Sequence, residues 1–170
     1  MIDFSEDEIS ARELRSAAYH EAGHKIIHAR FGGLGYAVVW RNPSGNADER
    51  AWLGQYRSWT CPEKLREAPA HNGGILPPLP SNWKALFGMA GLVAEQIMDG
   101  QTDSIIVRDA LDLQIYCGEG SVSDLASMGI TDIENFELDT ETVTQAVQYL
   151  LEDWLLVQEE AEYLIEQASA

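Results

Sequence analysis

Residues 5–33 read SEDEISARELRSAAYHEAGHKIIHARFGG, and they decide how the rest of the chain is read. Ser5 is suited to cap a helix, because its side-chain oxygen can accept from a free backbone N–H of the first turn, and Glu6, Asp7 and Glu8 suit the positive end of the helix dipole. Leu14, Ala17, Ala18, Tyr19, Ile26 and Ile27 recur at helical spacing, and Gly32-Gly33 gives a stop. The prediction is one helix from about Glu6 to Arg30. Within it, His20-Glu21-Ala22-Gly23-His24 has the form HExxH. Residues four apart share a helix face one turn above each other, so both imidazoles can reach a single metal ion. Zinc, with bonds of about 2.0–2.1 Å to histidine nitrogen, suits such a pair. Glu21 is turned away by one residue; it misses the metal but can face water beside it, as a general base must.

His28 extends the row by another turn. On a straight helix it lies about 12 Å along the axis from His20, too far for one tetrahedral site, so it is expected beside the site or on the surface. The longer metzincin pattern fails, because its glycine is Ile27 here and its third histidine is Arg30. A third protein ligand must therefore come from farther along, with a carboxylate as the natural candidate. Glu95, Asp109, Asp112 and Asp124 are the four to weigh.

Outward from this helix, Tyr36–Trp40 (YAVVW) and Ala51–Trp59 (AWLGQYRSW) read as two strands joined by the polar turn segment RNPSGNADER. Thr60–Pro80 holds five of the six prolines and two adjacent glycines, and is read as a structured loop. Ser81 is expected to cap a helix running to about Asp99, with Ala85, Met89, Ala90, Val93, Ala94 and Ile97 facing the core. Another helix is expected over Thr102–Tyr116, a short one from Ser123, and one long or two short helices over Thr140–Ala168. The fold class expected is α+β and mostly helical, a single domain over residues 1–170 with a small β-hairpin in its first third.

Composition narrows the partners. The 170 residues are 45% hydrophobic, which suits one globular domain with a core of its own. Against 11 basic residues stand 28 acidic ones, a net charge of −17, and such a field repels a phosphate backbone, so no nucleic-acid partner is expected. No apolar run approaches the roughly 20 residues that a membrane span needs. The start MIDFSEDEIS lacks the basic and apolar regions of a secretory signal, which predicts a cytoplasmic protein. Cys61 and Cys117 form no CxxC pair and read as two unremarkable thiols.

Ala18-Tyr19-His20-Glu21-Ala22-Gly23-His24 resembles the AxHEAGH signature of the FtsH-type zinc protease domain, the peptidase part of membrane-anchored AAA+ proteases. Met89-Ala90-Gly91-Leu92-Val93-Ala94-Glu95-Gln96-Ile97 resembles that family's LxGRxAEEL helix, with Leu92 in place of the usual arginine. Gly120-Ser121-Val122-Ser123-Asp124-Leu125-Ala126 resembles its Gly-Ala-x-x-Asp-Leu segment, whose aspartate is the third zinc ligand. The resemblance implies a zinc metallopeptidase with His20, His24 and Asp124 on the metal and Glu21 as catalytic base, acting on a peptide or flexible protein substrate. Placing Asp124 so requires an insertion over Thr102–Gly118. Without a gap Asp109 would take the place, in poorly matching flanks, and Asp112 has the following leucine but no glycine-rich lead-in. Glu95 then becomes a packing or supporting acid. Trp52-Leu53-Gly54-Gln55-Tyr56 is the strand edge expected to receive substrate, and His71 and Tyr56 are the candidates for stabilising an oxyanion. The ATPase module and membrane anchor of the long enzymes are not found, which implies ATP-independent hydrolysis. Two other readings are an inactive metal-binding adaptor of a larger protease and an interaction protein that works through the acidic helical region Thr140–Ala170.

Overall fold

In the computed structural model, which describes residues 4–67 and 76–169, the chain is a mostly helical α+β fold. The helix α1 spans Glu6–Arg30, followed by strands β1 (Gly35–Arg41) and β2 (Trp52–Ser58). Then come α2 (Pro62–Glu67), α3 (Trp83–Met98), α4 (Ser104–Tyr116), α5 (Val122–Ser127), α6 (Thr140–Glu152) and α7 (Trp154–Ser169).

A capping box starts α1: Ser5 Oγ accepts from the Glu8 amide at 3.2 Å, and Glu8 Oε2 accepts from the Ser5 amide at 2.8 Å. Gly32, with φ 83°, takes the left-handed conformation that ends the helix. Between these ends α1 is the central element, touching α3, α7 and both strands. That position explains why its buried residues are not confined to one stripe and why so many are small: Ala18, Ala22 and Gly23 let neighbours close in. At Gly23 the approach is backbone to backbone, since a Cβ there would come within 2.6 Å of the Ala90 carbonyl oxygen on α3.

The two strands form an antiparallel pair in register from Gly35 opposite Ser58 to Arg41 opposite Trp52. Two bonds fasten this hairpin across α1: the Ala51 amide donates to Glu13 at 2.6 Å, and Trp52 Nε1 donates to Ser10 Oγ at 3.0 Å. Among the described residues β2 has no second neighbour, so its outer edge is unpaired.

Two local expectations are corrected, and one alternative left open is decided. The proline-rich stretch after Thr60 contains a short helix, α2, with Pro62 at its first position, where a missing N–H costs nothing. Arg66 on α2 donates to the carbonyls of Phe31 (2.8 Å) and Pro77 (2.9 Å), clamping the segment down. Residues 68–75, His71 among them, lie outside the described residues. Ser81 does not cap α3; Asn82 precedes the helix, and its side-chain Nδ2 donates to Thr142 (3.1 Å) and Gln145 (2.7 Å) on α6. The last helical region is two helices, parted at Asp153, which with Glu152 is held by Arg30 at 3.1 and 2.6 Å. Cys61 and Cys117 are free thiols. Among the described residues no helix is long and apolar enough to cross a membrane.

Candidate metal centre

Three side chains from two helices converge. His20 and His24 rise from the middle of α1, and Asp124 comes from the first turn of α5. Ser121 caps α5 and accepts from the Asp124 amide at 3.1 Å, which fixes where this carboxylate starts. Gly88 lets α5 settle onto α3, since a Cβ there would lie 2.7 Å from the Asp124 carbonyl oxygen.

The donor atoms form a nearly equilateral triangle. His20 Nε2 is 3.3 Å from Asp124 Oδ2, His24 Nε2 is 3.3 Å from the same oxygen, and the two Nε2 atoms are 3.2 Å apart. Three atoms so placed cannot all be hydrogen-bonded to one another, because each ring nitrogen has at most one proton to direct. A shared cation satisfies all three. Tetrahedral coordination with bonds of about 2.0–2.1 Å puts neighbouring donors about 3.3–3.4 Å apart, the spacing observed. His20, His24 and Asp124 are the one such grouping among the described residues, and they make a possible metal-binding triad.

The surroundings support both rings from behind. His24 Nδ1 donates to the Phe87 carbonyl on α3 at 2.9 Å, which leaves Nε2 free to coordinate. His20 Nδ1 faces Glu95 Oε2 at 3.7 Å, longer than a hydrogen bond but close enough for the charge to act. Glu95 is itself held by Ser16 Oγ at 2.7 Å. A Cβ at Gly91 would fall 2.5 Å from His20 Cδ2, so this glycine makes the space that the ring occupies.

Burial opposes charge on His20, yet the Asp124 and Glu95 carboxylates outweigh it and push its pKa up to about 10. Burial alone would raise Asp124; hydrogen bonds from His20 and His24 instead hold it well below the usual carboxylate range. Glu95 is likewise raised by burial and lowered further by His20. The net field favours positive charge at the triangle, where a divalent cation would replace the imidazolium proton.

Glu21 lies beside the triangle and under β2. It is only 7% exposed, and a Cβ at Gly54 would sit 2.6 Å from Glu21 Cγ, so the strand can pass over the carboxylate only as glycine. Burial raises its pKa, with the two imidazoles pulling the other way. The triangle, Glu21 and Gly54 open on a cavity of about 590 Å³, walled by Tyr56, Phe87 and the serines of α5.

The other acids weighed in the sequence are elsewhere. Asp109 is paired with Arg108 at 2.9 Å on the surface of α4, and with Asp112 it lines a separate groove. His28 is outside the triangle but is buried rather than on the surface: its Nδ1 meets the Tyr56 hydroxyl, and its ring packs on Phe87. Burial lowers the His28 pKa and pushes Tyr56 up to about 12, so both stay neutral near pH 7. The Tyr56 hydroxyl is thus committed to His28, and Tyr56 gives the cavity a ring wall.

Sequence reasoning missed Gly88 and the Phe87 carbonyl, and took Gly91 as a motif position without its packing role. A signal existed for the glycines, since each costs about 1 kcal/mol against alanine inside a helix and so calls for a packing reason. A backbone carbonyl has no such signal. Comparison with known protein families finds no match for this chain, and comparison with curated proteins finds none either.

Proposed function

We propose that the protein is a zinc-dependent metallopeptidase of the FtsH-peptidase kind that its motifs resemble, with His20, His24 and Asp124 holding the metal and Glu21 as general base. The observation that carries this reading is the spacing of the three donor atoms, 3.2 to 3.3 Å on every side. Zinc held there would supply a Lewis acid that polarises a peptide carbonyl and makes water acidic near neutral pH.

The chain's own groups supply the rest. Glu21 accepts the proton of the attacking water and returns it to the departing amine, a cycle favoured by burial that raises its proton affinity. Glu95 and the Phe87 carbonyl keep the two imidazoles turned inward. The unpaired edge of β2, passing over Glu21 at Gly54, can align an extended peptide by main-chain hydrogen bonds. An alignment of that kind suits short peptides or flexible segments, hydrolysed without ATP in the cytoplasm.

Zinc content by elemental mass spectrometry, read beside cleavage of a quenched peptide library, tests the proposal. About one zinc per chain is expected, lost in His24→Ala and Asp124→Ala and kept in Asp109→Ala and Asp112→Ala. Glu21→Gln should keep zinc and lose about 10²–10⁴-fold of the hydrolysis rate. No zinc in the wild type, or zinc lost from Asp109→Ala but kept in Asp124→Ala, overturns the ligand set. Zinc without hydrolysis of any peptide overturns the enzyme reading in favour of a metal-binding adaptor.

A further inference from the structure

We infer that the outer face of α4 is a docking surface for a partner-protein segment that carries an apolar side chain flanked by lysine or arginine. The inner face of this helix is spent on the core, with Val107, Leu111 and Ile115 fully buried. Its outer face is not wholly polar, as an unpartnered helix face normally is; large apolar side chains are interleaved there with Asp109 and Asp112. Ile105, Leu113 and Tyr116 are 58%, 63% and 61% exposed. Leu113, Tyr116 and Ile133 wall an open groove of about 480 Å³, and Asp109, Asp112 and Glu134 line it with them.

The charge of this groove selects its occupant. Three carboxylates line it and no basic side chain does. Partial burial raises the pKa of Asp112, and repulsion from Asp109 and Glu137 adds to that; Arg108 alone opposes it. Arg108 is already engaged, with Asp109 at 2.9 Å and with Thr140 Oγ1 at 2.8 Å. Asp109 keeps Arg108 as its partner, but a purely apolar occupant would cover Asp112 and Glu134 without one, at a desolvation cost. A second copy would set acid against acid, each chain carrying −17, and anionic lipid or nucleic acid is repelled in the same way. An apolar side chain between two cationic ones fills the groove and pairs its acids. Asp109 and Asp112 are not in the metal triangle, so the docking surface stands or falls apart from the metal centre.

The probe is a fluorescein-labelled synthetic helix of about fifteen residues, with a leucine stripe flanked by Lys and Arg, read by fluorescence polarisation at low salt. Wild type should bind it, and a version with Glu in place of Lys and Arg should not bind. The variant Asp109→Asn/Asp112→Asn/Glu134→Gln should weaken binding about tenfold. A control of equal net charge, Glu159→Gln/Glu162→Gln/Glu166→Gln on α7, should change it by less than about twofold. Leu113→Ser, at a position 63% exposed, should weaken binding as well. Equal weakening in the two triple variants would mean a diffuse field and overturns the proposal. So does unchanged affinity in Leu113→Ser, equal binding of the Glu version, or no binding by the wild type.

Discussion

Replacing Gly91 by alanine should break the candidate metal centre without substituting any of its three ligand residues, because the new Cβ would run into the His20 ring at its donor atom, Nε2. The new Cβ would lie 2.5 Å from His20 Cδ2 and 2.6 Å from Cε1. Carbon atoms pack at about 3.5 Å, so one partner must retreat by about 1 Å. The α3 backbone is not free to do so, because Ala90 is already against Gly23 of α1. The His20 ring borders the open cavity and is the part that can move. Metal–ligand distances tolerate only about 0.2 Å, so a shift of that size removes His20 from the triangle. Alanine meanwhile favours the helix by about 1 kcal/mol over glycine, which offsets the strain in the metal-free chain.

Thermal melting with and without zinc separates the two effects. At a zinc concentration a hundredfold above Kd, binding adds about 2.7 kcal/mol to the native state. For a chain of this size that is a rise of about 5–10 °C in the wild-type midpoint. Gly91→Ala should melt near the metal-free wild type and show little or no rise with zinc. An equal zinc-induced rise in variant and wild type would refute the assignment of His20 as a donor, since no ring in its observed position can coexist with the added carbon.

Two further outcomes are expected. Glu95→Gln removes the charge behind His20 and should lower metal affinity by about 10–100-fold in a competition titration against a chromogenic chelator, with stoichiometry unchanged at saturation; unaltered affinity would show that Glu95 only packs. His28 has its pKa depressed by burial, so the unfolded chain takes up its proton first as pH falls; stability from this group is complete above about pH 6.5 and declines below it, and His28→Asn should flatten that part of a denaturant-midpoint-against-pH curve, whereas identical slopes would place the titration elsewhere.

What could be read from the sequence was what is encoded locally. The bounds of α1 follow from a capping box and a left-handed glycine, all within a few residues of the ends they set. The hairpin and α4 announce themselves in the same way, by β-forming runs and by Asp103, which caps α4 with its own side chain. Elements fixed by distant partners were harder. The break at Asp153 interrupts no hydrophobic pattern, and Arg30, which holds Asp153 there, stands more than a hundred positions earlier. Asn82 stands before α3 without capping it, and its side-chain Nδ2 donates to Thr142 and Gln145 on α6. In α2, proline density masked a start signal that Pro62 supplied.

The site divides along the same line. His20, Glu21 and His24 are joined by helical periodicity, so their spacing in the chain is already their spacing in space. Among Glu95, Asp109, Asp112 and Asp124, local sequence offers no physical distinction, since all four are acids on or beside predicted helices. Folding distinguishes them by what α3 permits. Gly88 lets α5 come close enough for Asp124 to reach both imidazoles, and Gly91 leaves the space into which His20 turns. Glu95, one turn beyond Gly91 on the same helix, is thereby set behind His20 and not in front of it. The helix that contributes no donor atom to the triangle therefore decides which acid joins the histidines and which one supports them.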